Sequence, residues 1–239
     1  MMFSKIPLHK ILFFDVETVS AKPNYKDLSS SLQALWNKKH QNIKTHEEQL
    51  PEESYTERSA IYAEFGKIVC ISCGFVADNV LRVKSFYGDD EKQLLTDFAN
   101  MLQQSFNQPA QQFLCGHNIK EFDVPYVCRR MMINQIELPA ILNISGKKPW
   151  EVNFLDTMQL WKFGDYKNFT SLELLAAIFD IPTPKDDIDG SMVSKVYWEE
   201  QNLERIKVYC EKDVITVFQL FQKLGNNPIF NENQIVLVD

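Results

Sequence analysis

Two carboxylates stand two residues apart at the end of an apolar stretch near the start of the chain. Asp15 and Glu17 lie at the end of the segment 10–17. Apart from these two acids and Lys10, all residues of the segment are apolar. Because alternate side chains of a β-strand point to the same face, the two carboxylates would lie side by side. At ~5–6 Å and an effective dielectric constant near ~20, their repulsion is on the order of 3 kcal/mol, which a bound cation would relieve. The alternative is a solvated strand end with two acids that have no chemical role.

A third carboxylate falls on the apolar face of a long helix that the sequence predicts over about 202–224. The apolar positions of that face are Leu203, Ile206, Cys210, Val217, Leu220, Phe221 and Leu224. Asp213 occupies the position between Cys210 and Val217. Tyr209 lies one helical turn before it on the same face. A carboxylate there must be paired, protonated or bound to a metal ion, because an isolated buried charge is prohibitively costly. The alternative without chemistry is a buried hydrogen bond between Asp213 and Tyr209.

The segment Gly116–Tyr126 joins a predicted strand end to a predicted helix start. An amide at Asn118, an aromatic ring at Phe122 and a carboxylate at Asp123 follow one another in this short segment. As a simple capping loop, the segment would place Asp123 at the N-cap of the helix. His117 in the same segment either contacts phosphate or is satisfied by backbone hydrogen bonds.

These three elements can bring four carboxylates together only at the carboxyl end of the first strand. The strand supplies two of them, and each of the two helices supplies one. Hard oxygen ligands of this kind suit Mg²⁺ or Mn²⁺. The sequence therefore predicts a site for divalent cations formed by Asp15, Glu17, Asp123 and Asp213.

The elements that must position these residues have the order of a mixed α/β fold. Strands are predicted over 10–17, 66–77, 80–87, 112–116 and 152–155. Helices follow the third, fourth and fifth strands. A meander of three strands followed by alternating helices and strands predicts a mixed five-stranded sheet flanked by helices. This order is consistent with an α/β fold of the ribonuclease H-like type.

Composition indicates a globular protein and limits how it binds nucleic acid. The 239 residues are 45% hydrophobic and include 17 Phe, which excludes a disordered chain. The net charge is −7, which excludes long-range capture of polyanions by bulk electrostatics. One domain over 1–239 is expected, with a polar insertion at about 20–62 and a short C-terminal tail at 225–239.

Cysteine content and hydropathy predict the compartment in which the chain works. The five cysteines are odd in number and most lie in apolar segments, which favours reduced thiols over a disulfide framework. No window of the sequence approaches ~18 uncharged apolar residues, and no signal-peptide pattern begins it. We therefore expect a cytoplasmic protein without membrane attachment.

Three segments resemble, in order, the three exonuclease motifs of the DEDD superfamily of 3′–5′ exonucleases. Phe14–Thr18 is similar to the first motif, Asn118–Asp123 to the second and Tyr209–Asp213 to the third. Tyrosine rather than histidine in the third motif places the chain in the tyrosine branch. The second motif most resembles the proofreading exonuclease domains of family B DNA polymerases. Because no polymerase segments follow, the chain resembles a stand-alone predicted polymerase-B-like exonuclease.

The resemblance implies a catalytic set made of Asp15, Glu17, Asp123, Tyr209 and Asp213. Its four carboxylates would hold two divalent cations, Mg²⁺ or Mn²⁺, which clamp the scissile phosphate. Tyr209, with an ordinary pKa near ~10, is a poor general base and would orient the attacking water. The implied reaction is hydrolysis at the 3′ end of single-stranded or frayed DNA, as in DNA repair, with 5′-mononucleotides as product. RNA is a second candidate substrate.

The resemblance also implies residues that contact the terminal nucleotide, namely Thr18, Asn118 and Phe122. Binding of a single strand needs aromatic stacking and a modest basic rim. Candidates for that role are Trp36, Lys38, Lys39, Lys147, Lys148 and Trp150. Two other functions stay open, which are trimming of RNA or short oligonucleotide ends, and nucleic-acid binding without hydrolysis. The sequence identifies no protein partner.

Overall fold

A mixed sheet of six strands forms the centre of the molecule. The computed structural model describes residues 5–43, 49–148, 151–165, 167–182 and 188–238. The strands are β1 Ile11–Ser20, β2 Gly66–Ala77, β3 Val80–Tyr87, β4 Phe113–Gly116, β5 Leu155–Asp156 and β6 Ile235–Val238. They lie side by side in the order β5-β4-β1-β2-β3-β6. β1, β2 and β3 form an antiparallel meander, whereas β4, β5 and β6 each pair in parallel with a neighbour.

The predicted five-stranded sheet is one strand short of the observed one. β6 belongs to the C-terminal tail and pairs in parallel with β3, with Ile235 opposite Leu81 and Val238 opposite Lys84. Without β6, β3 would leave a row of unpaired backbone groups at the edge of the sheet. The short apolar tail covers that edge through a long-range pairing that local sequence patterns do not specify.

Eight helices flank the sheet in the described part of the chain. They are α1 Ser30–His40, α2 Pro51–Arg58, α3 Glu91–Ser105, α4 Asp123–Ile133, α5 Thr157–Lys162, α6 Leu172–Ile178, α7 Val193–Trp198 and α8 Leu203–Leu224. α8 packs across β1, β2 and β3, while α3 packs on β2 and β3. A polar side chain marks the start of each of these two helices, because Asp90 and Asn202 accept hydrogen bonds from backbone N–H groups of the first turn.

β1 is buried on both faces, as predicted for a central strand. Phe13 packs edge-on against Phe218 and Phe221 of α8, with ring centroids 5.2 and 5.5 Å away. Phe14 turns to the other face, and its ring centroid lies 6.0 Å from that of Phe98 in α3. The strand is therefore packed between α8 and α3. This packing determines which way the side chains of Asp15 and Glu17 point.

The polar insertion forms a small core of its own. Leu28, Trp36, Tyr55 and Phe65 are buried together. Trp36 is fully buried, and its Nε1–H donates a hydrogen bond to the carbonyl oxygen of Pro51 at 2.8 Å. The prediction that Trp36 stacks on nucleic acid is therefore wrong, because aromatic residues far apart in the sequence enclose its ring.

The other residues predicted to bind a single nucleic-acid strand have different surroundings. Lys39 lies over the ring of Tyr62, with Nζ 3.8 Å from the ring centroid. Lys38, Lys147 and Lys148 are exposed. Trp150 lies outside the described residues.

All five cysteines are free thiols. Within the described ranges, none of the helices has both the length and the apolar character needed to cross a membrane.

Candidate active site

β1 brings Asp15 and Glu17 together in its second half and not at its carboxyl end, because the strand continues past the predicted end at residue 17 as far as Ser20. In the antiparallel pairing with β2, Asp15 lies opposite Ser72 and Glu17 lies opposite Cys70. The register shifts immediately afterwards, between Glu17 and Thr18. An irregularity of this kind re-aims side chains and is common beside active sites. Glu17 is only 6% exposed, and Asp15 is half-buried.

α8 places the side chain of Cys210 directly against this pair of acids. The Cys210 thiol donates to the backbone oxygen of Asp15 at 3.5 Å and to its Oδ2 at 3.6 Å. The potential ligand atoms of Asp15, Glu17 and Cys210 all lie within 4.8 Å of one another. The same turn of α8 brings in two more predicted residues, because the charge of Asp213 acts on Glu17 and Tyr209 is hydrogen-bonded to Asp213.

Asp123 reaches β1 from the start of α4. The pairing of β4 with β1 ends at Phe13, three residues before Val16. There the Asp123 carboxylate accepts a hydrogen bond from the backbone N–H of Val16, the residue that separates the two acids of β1. Asp123 is 4% exposed and is the first residue of α4, while Phe122 is at the N-cap. The alternative of a capping loop with Asp123 as N-cap is therefore wrong.

Burial raises the pKa of each of these three acids. Burial first and the charge of Asp123 second raise the pKa of Asp15 to about 8. Burial and then the charges of Asp15 and Asp213 raise the pKa of Glu17 well above its ordinary value. Burial raises the pKa of Asp123 to about 7, although the hydrogen bond from Val16 opposes this shift. The protein alone thus disfavours the fully charged cluster, as expected for carboxylates that share one site.

The set of donor atoms fits divalent cations. Carboxylate oxygens are ligands that Mg²⁺ and Mn²⁺ prefer, and a cation would offset the unfavourable charge of the cluster. The residues that would hold such ions are Asp15, Glu17, Asp123 and Asp213. Cys210 adds a softer donor that the sequence prediction does not contain.

Asp156 holds the loop that carries Asn118. Its carboxylate accepts hydrogen bonds from the N–H of Asn118 at 3.1 Å and from that of Lys120 at 3.2 Å. The same carboxylate caps α5 by accepting the N–H of Met158 at 3.0 Å. Asn118 has a φ of 63°, a conformation that asparagine adopts more readily than most residues. The loop is therefore fixed, and it presents Asn118 half-exposed.

Phe122 and Thr18, the other predicted substrate contacts, are both connected to Tyr126 of α4. The ring centroids of Phe122 and Tyr126 are 5.4 Å apart. Thr18 is buried, and its side chain is hydrogen-bonded to the Tyr126 hydroxyl. That hydroxyl also donates to the carbonyl oxygen of Ala60 at 2.8 Å. Tyr126 therefore joins the two elements, β1 and α4, that supply three of the acids.

His117 is held by hydrogen bonds through both ring nitrogens. Nδ1 lies 2.9 Å from Oγ1 of Thr157, and Nε2 lies 2.9 Å from the carbonyl oxygen of Thr170. Burial lowers the pKa of His117 below its ordinary value. Of the two alternatives for His117, the structure shows a histidine whose ring nitrogens are both hydrogen-bonded within the protein. One partner is a side chain rather than backbone, and both partners are at least 40 residues away in the sequence.

The sequence does not predict two interactions of the site. These are the contact of Cys210 with Asp15 and the hydrogen bond between Asp156 and Asn118. Cys210 lies on the apolar face of α8, a pattern that indicates a core residue. Its position three residues before Asp213 is the only signal that it faces the acids. Asp156 has the sequence signature of a helix cap, which it is. Its hydrogen bond to Asn118 joins residues 38 positions apart and leaves no local signal.

Comparison with known proteins decides the family. A family model described as a predicted 3′-5′ exonuclease related to the exonuclease domain of PolB matches residues 60–227, more than half of the chain. The chain belongs to this family. The description of the family is that of hydrolases that act on the 3′ ends of nucleic acids. The matched region contains Asp123 and Asp213, whereas Asp15 and Glu17 precede it and join these residues in the folded chain.

Solved structures show the same fold. The family B DNA polymerase from the hyperthermophilic archaeon Pyrobaculum calidifontis is similar over 91% of this chain, with a TM-score of 0.58 and 14% sequence identity. The similarity covers 25% of that polymerase chain, so this protein spans about a quarter of its length. It confirms the predicted α/β fold of the ribonuclease H-like type. None of the curated proteins matches the chain.

Proposed function

We propose that this protein is a metal-dependent 3′–5′ exonuclease that releases 5′-mononucleotides from the 3′ ends of single-stranded or frayed DNA. The observation that carries the proposal is the meeting of the carboxylates of Asp15, Glu17 and Asp123 on β1, beside the Tyr209–Asp213 turn of α8. Membership of the exonuclease family supports the polarity of cleavage. Residues 1–239 would act as one exonuclease domain, in which helix α2 of the insertion contacts β1.

The four carboxylates would hold two divalent cations, and exonuclease domains of the PolB type use such metals. When bound, the ions supply Lewis-acid activation of a water molecule and stabilise the leaving 3′-oxygen. The protein contributes the arrangement of the ligands, because α4 and α8 each bring an acid to the part of β1 that carries Asp15 and Glu17. The low exposure of Glu17 and Asp123 limits the access of bulk water to the cluster.

Tyr209 would act as a hydrogen-bond donor. Burial and then the charges of Asp213 and Glu17 raise the pKa of Tyr209 above its ordinary value. The phenol therefore stays protonated at neutral pH and is unsuited to act as a general base. Its O–H would orient the attacking water in the substrate complex. Removal of this hydroxyl would accordingly lower kcat more than it changes KM.

The terminal nucleotide would be received by Thr18, Asn118 and Phe122. Asn118 offers an amide from a loop that Asp156 holds in place. Phe122 offers a half-buried ring at the start of α4. The backbone beside Thr18 would meet the 3′-hydroxyl, at the point where the β1–β2 register shifts.

End-labelled single strands test the proposal. With Mg²⁺ or Mn²⁺, the protein should convert a 5′-labelled oligodeoxynucleotide into a ladder of shorter labelled strands, and should release the label of a 3′-labelled strand as a mononucleotide. EDTA, Asp15→Ala or Asp213→Ala should abolish both reactions. Asp97→Ala removes an exposed acid of α3 and is the matched control, which should keep full activity. A ladder that persists in EDTA or in both site variants would refute the metal-dependent mechanism.

A matched RNA strand separates the proposed function from its alternatives. We expect the DNA strand to be shortened faster than an RNA strand of the same sequence. Faster loss of the RNA would replace the proposal by an exoribonuclease that trims RNA or short oligonucleotides. Binding of both strands without shortening, under every metal condition, would indicate a nucleic-acid-binding module without hydrolysis.

A further inference from the structure

The two most exposed aromatic rings of the described residues lie at the two ends of one connection. Phe163 is 80% exposed and Phe169 is 69% exposed. Phe163 ends α5, and Phe169 lies two residues before Ser171, the N-cap of α6. Phenylalanine is among the residue types most often buried, so two bare rings on one connection need an explanation.

The connection is linked to the loop that carries Asn118 in two ways, through helix α5 on one side and directly on the other. At the first end, Asp156 caps α5 and also accepts the N–H of Asn118. α5 has six residues, so Phe163 lies about 9 Å further along the helix axis. At the second end, His117 is bonded to the carbonyl oxygen of Thr170, the residue that follows the second ring. The connection that carries the two rings is therefore linked to the loop of Asn118, which the proposed function assigns to the terminal nucleotide.

The described residues of the connection, which leave out residue 166, show local structure at two points. Phe163 has a φ of 46° and a ψ of 34°, the left-handed region that bulky residues rarely adopt. Asp165 accepts hydrogen bonds from the N–H of Lys167 at 2.9 Å and from Nδ2 of Asn168 at 2.7 Å. Because the ring of Phe163 is almost bare, packing does not account for its unfavourable backbone. A surface that is already ordered loses little conformational freedom when a ligand binds to it.

The charges of the connection suit a nucleic-acid strand. Lys162 and Lys167 accompany the rings, whereas the carboxylate of Asp165 is directed to donors of the connection itself. This local composition differs from that of the whole chain, whose net charge is −7. Aromatic rings beside cationic side chains are the recurring surface for single strands, because bases stack on the rings and the cations neutralise phosphates.

We infer that Phe163 and Phe169 stack against bases of the single strand upstream of the 3′-terminal nucleotide. The inference rests on the proposed function and identifies the surface over which the strand leaves the site. Since every base has a stacking face, binding there would be tolerant of sequence. The role predicted for Trp36 would thus belong to two rings in a different part of the chain.

Substrates with and without upstream bases test this inference. The p-nitrophenyl ester of thymidine 5′-monophosphate contains a phosphodiester bond and no upstream base. Oligothymidylates of increasing length add upstream bases one at a time. We expect Phe163→Ala and Phe169→Ala each to raise KM for a strand of about twelve nucleotides by ~5-fold or more, with a larger effect in the double variant. Hydrolysis of the ester should be unchanged in all three variants.

Two matched variants control for loss of apolar surface. Phe169→Trp keeps a stacking ring and should leave KM for the long strand within ~2-fold of the wild-type value. Met132→Ala removes an exposed apolar side chain from α4 and should have no effect on either substrate. An unchanged KM for the long strand in the double variant would overturn the inference. An equal loss of ester hydrolysis and strand hydrolysis would also overturn it, because the rings would then support the site rather than the strand.

A binding measurement keeps the inference separate from the proposed function. If wild-type protein hydrolyses neither substrate, the proposed function fails, and the rings are then judged by fluorescence anisotropy of a labelled oligothymidylate in EDTA. The inference expects the double variant to bind this strand at least ~5-fold more weakly than the wild type. Equal affinities would contradict it. A change of sedimentation coefficient without a change of affinity would instead assign the rings to contact between two copies of the chain.

Discussion

Two buried carboxylates at helix starts have opposite surroundings. Glu91 lies in the first turn of α3 and Asp123 in the first turn of α4, and both are nearly inaccessible. The neighbours of Glu91 are donors, because Oε1 accepts Nε–H of Arg130 at 2.8 Å and the N–H of Ile68 at 2.7 Å. Asn134 adds a hydrogen bond to the other oxygen at 3.0 Å. The charged neighbours that act on Asp123 are other carboxylates.

This difference separates a buried charge that the protein balances from buried charges that it leaves unbalanced. The charge of Glu91 is balanced by Arg130 within the protein. The cluster of Glu91 with Arg130 and Asn134 therefore needs no ligand to offset its charge. The cluster of Asp15, Glu17 and Asp123 is not balanced in this way, and burial raises the pKa of each acid. A group of titratable residues that the fold leaves electrostatically unfavourable is a candidate for ligand binding or catalysis. The two clusters should therefore respond differently to the same kind of substitution.

Substitution of an acid in the unbalanced cluster should have the largest effect. Glu17→Gln preserves size but removes a charged ligand, and we expect kcat to fall on the order of a thousandfold, since metal ions supply several kcal/mol of transition-state stabilisation. Single-turnover hydrolysis of an oligodeoxynucleotide measures this loss. Glu204→Gln, an exposed glutamate on α8, is the matched control and should retain activity. Near-normal turnover by Glu17→Gln would remove this residue from the catalytic set.

Substitution in the balanced cluster should affect stability and spare the chemistry. Arg130→Met leaves the charge of Glu91 buried without its partner, and we expect the free energy of unfolding to fall by about 3–5 kcal/mol. Urea denaturation measures this loss, and the double variant Arg130→Met with Glu91→Gln should recover part of it. Turnover per folded molecule, measured well below the melting temperature, should stay close to that of the wild type. A large loss of turnover without a loss of stability would assign Glu91 to the active site. The two clusters would then no longer differ in role.

Substitution of Asp123 should stabilise the metal-free protein. The pKa of Asp123 is about 7 in the folded chain against a value of 3.8 for the free group. Between these values the folded state holds more protons than the unfolded state, so the free energy of unfolding falls as pH rises. The pKa of Asp15, about 8, extends the same trend to higher pH. In EDTA, Asp123→Asn should therefore raise the free energy of unfolding at pH 8 by ~1–2 kcal/mol and reduce its dependence on pH.

Thermal melts between about pH 5 and 8 measure this effect, with and without Mn²⁺. Saturating Mn²⁺ should raise the melting temperature of the wild type and should do so less for Asp123→Asn, because a ligand of the folded state stabilises it by mass action. Asp97→Asn serves as the surface control and should follow the wild type. A metal-free Asp123→Asn protein that is less stable than the wild type at pH 8 would show that the hydrogen bond from Val16 outweighs the unfavourable charge.

Residue spacing on single elements carries most of what could be predicted. The strands predicted at 66–77 and 80–87 have those bounds in the structure, because a hydrophobic run and a two-residue turn are local signals. Asp15 and Glu17 project together since period-two alternation determines the face of a strand. Asp213 and Tyr209 follow from helical periodicity in the same way. Each of these features depends on residues fewer than about eight positions apart.

Contacts between distant segments account for what could not be predicted. Trp36 is enclosed by Tyr55 and Phe65, residues of other elements, so its own helix gives little sign of burial. β6 pairs with β3 across more than a hundred residues, and a short apolar tail predicts only that some edge could receive it. The hydrogen bonds of Asp156 and the exposure of Phe163 likewise depend on how helices are placed. Tertiary packing decides such features, and single-sequence patterns do not encode it.

Cys210 should give the smallest effect, and it defines where the functional cluster ends. Its thiol donates to Oδ2 of Asp15 at 3.6 Å, and a thiol is a weak donor. If the thiol only orients Asp15, Cys210→Ala should change kcat with Mg²⁺ by less than ~5-fold, the worth of one ordinary hydrogen bond. Cys210→Ser, which keeps a donor, should lie closer to the wild type. A loss as large as that of Glu17→Gln would contradict a thiol that only orients Asp15 and would make Cys210 a candidate metal ligand, even though Mg²⁺ prefers hard oxygen ligands. The cluster would then be a mixed oxygen and sulfur site, and the contrast with Glu91 would rest on ligand chemistry as well as charge.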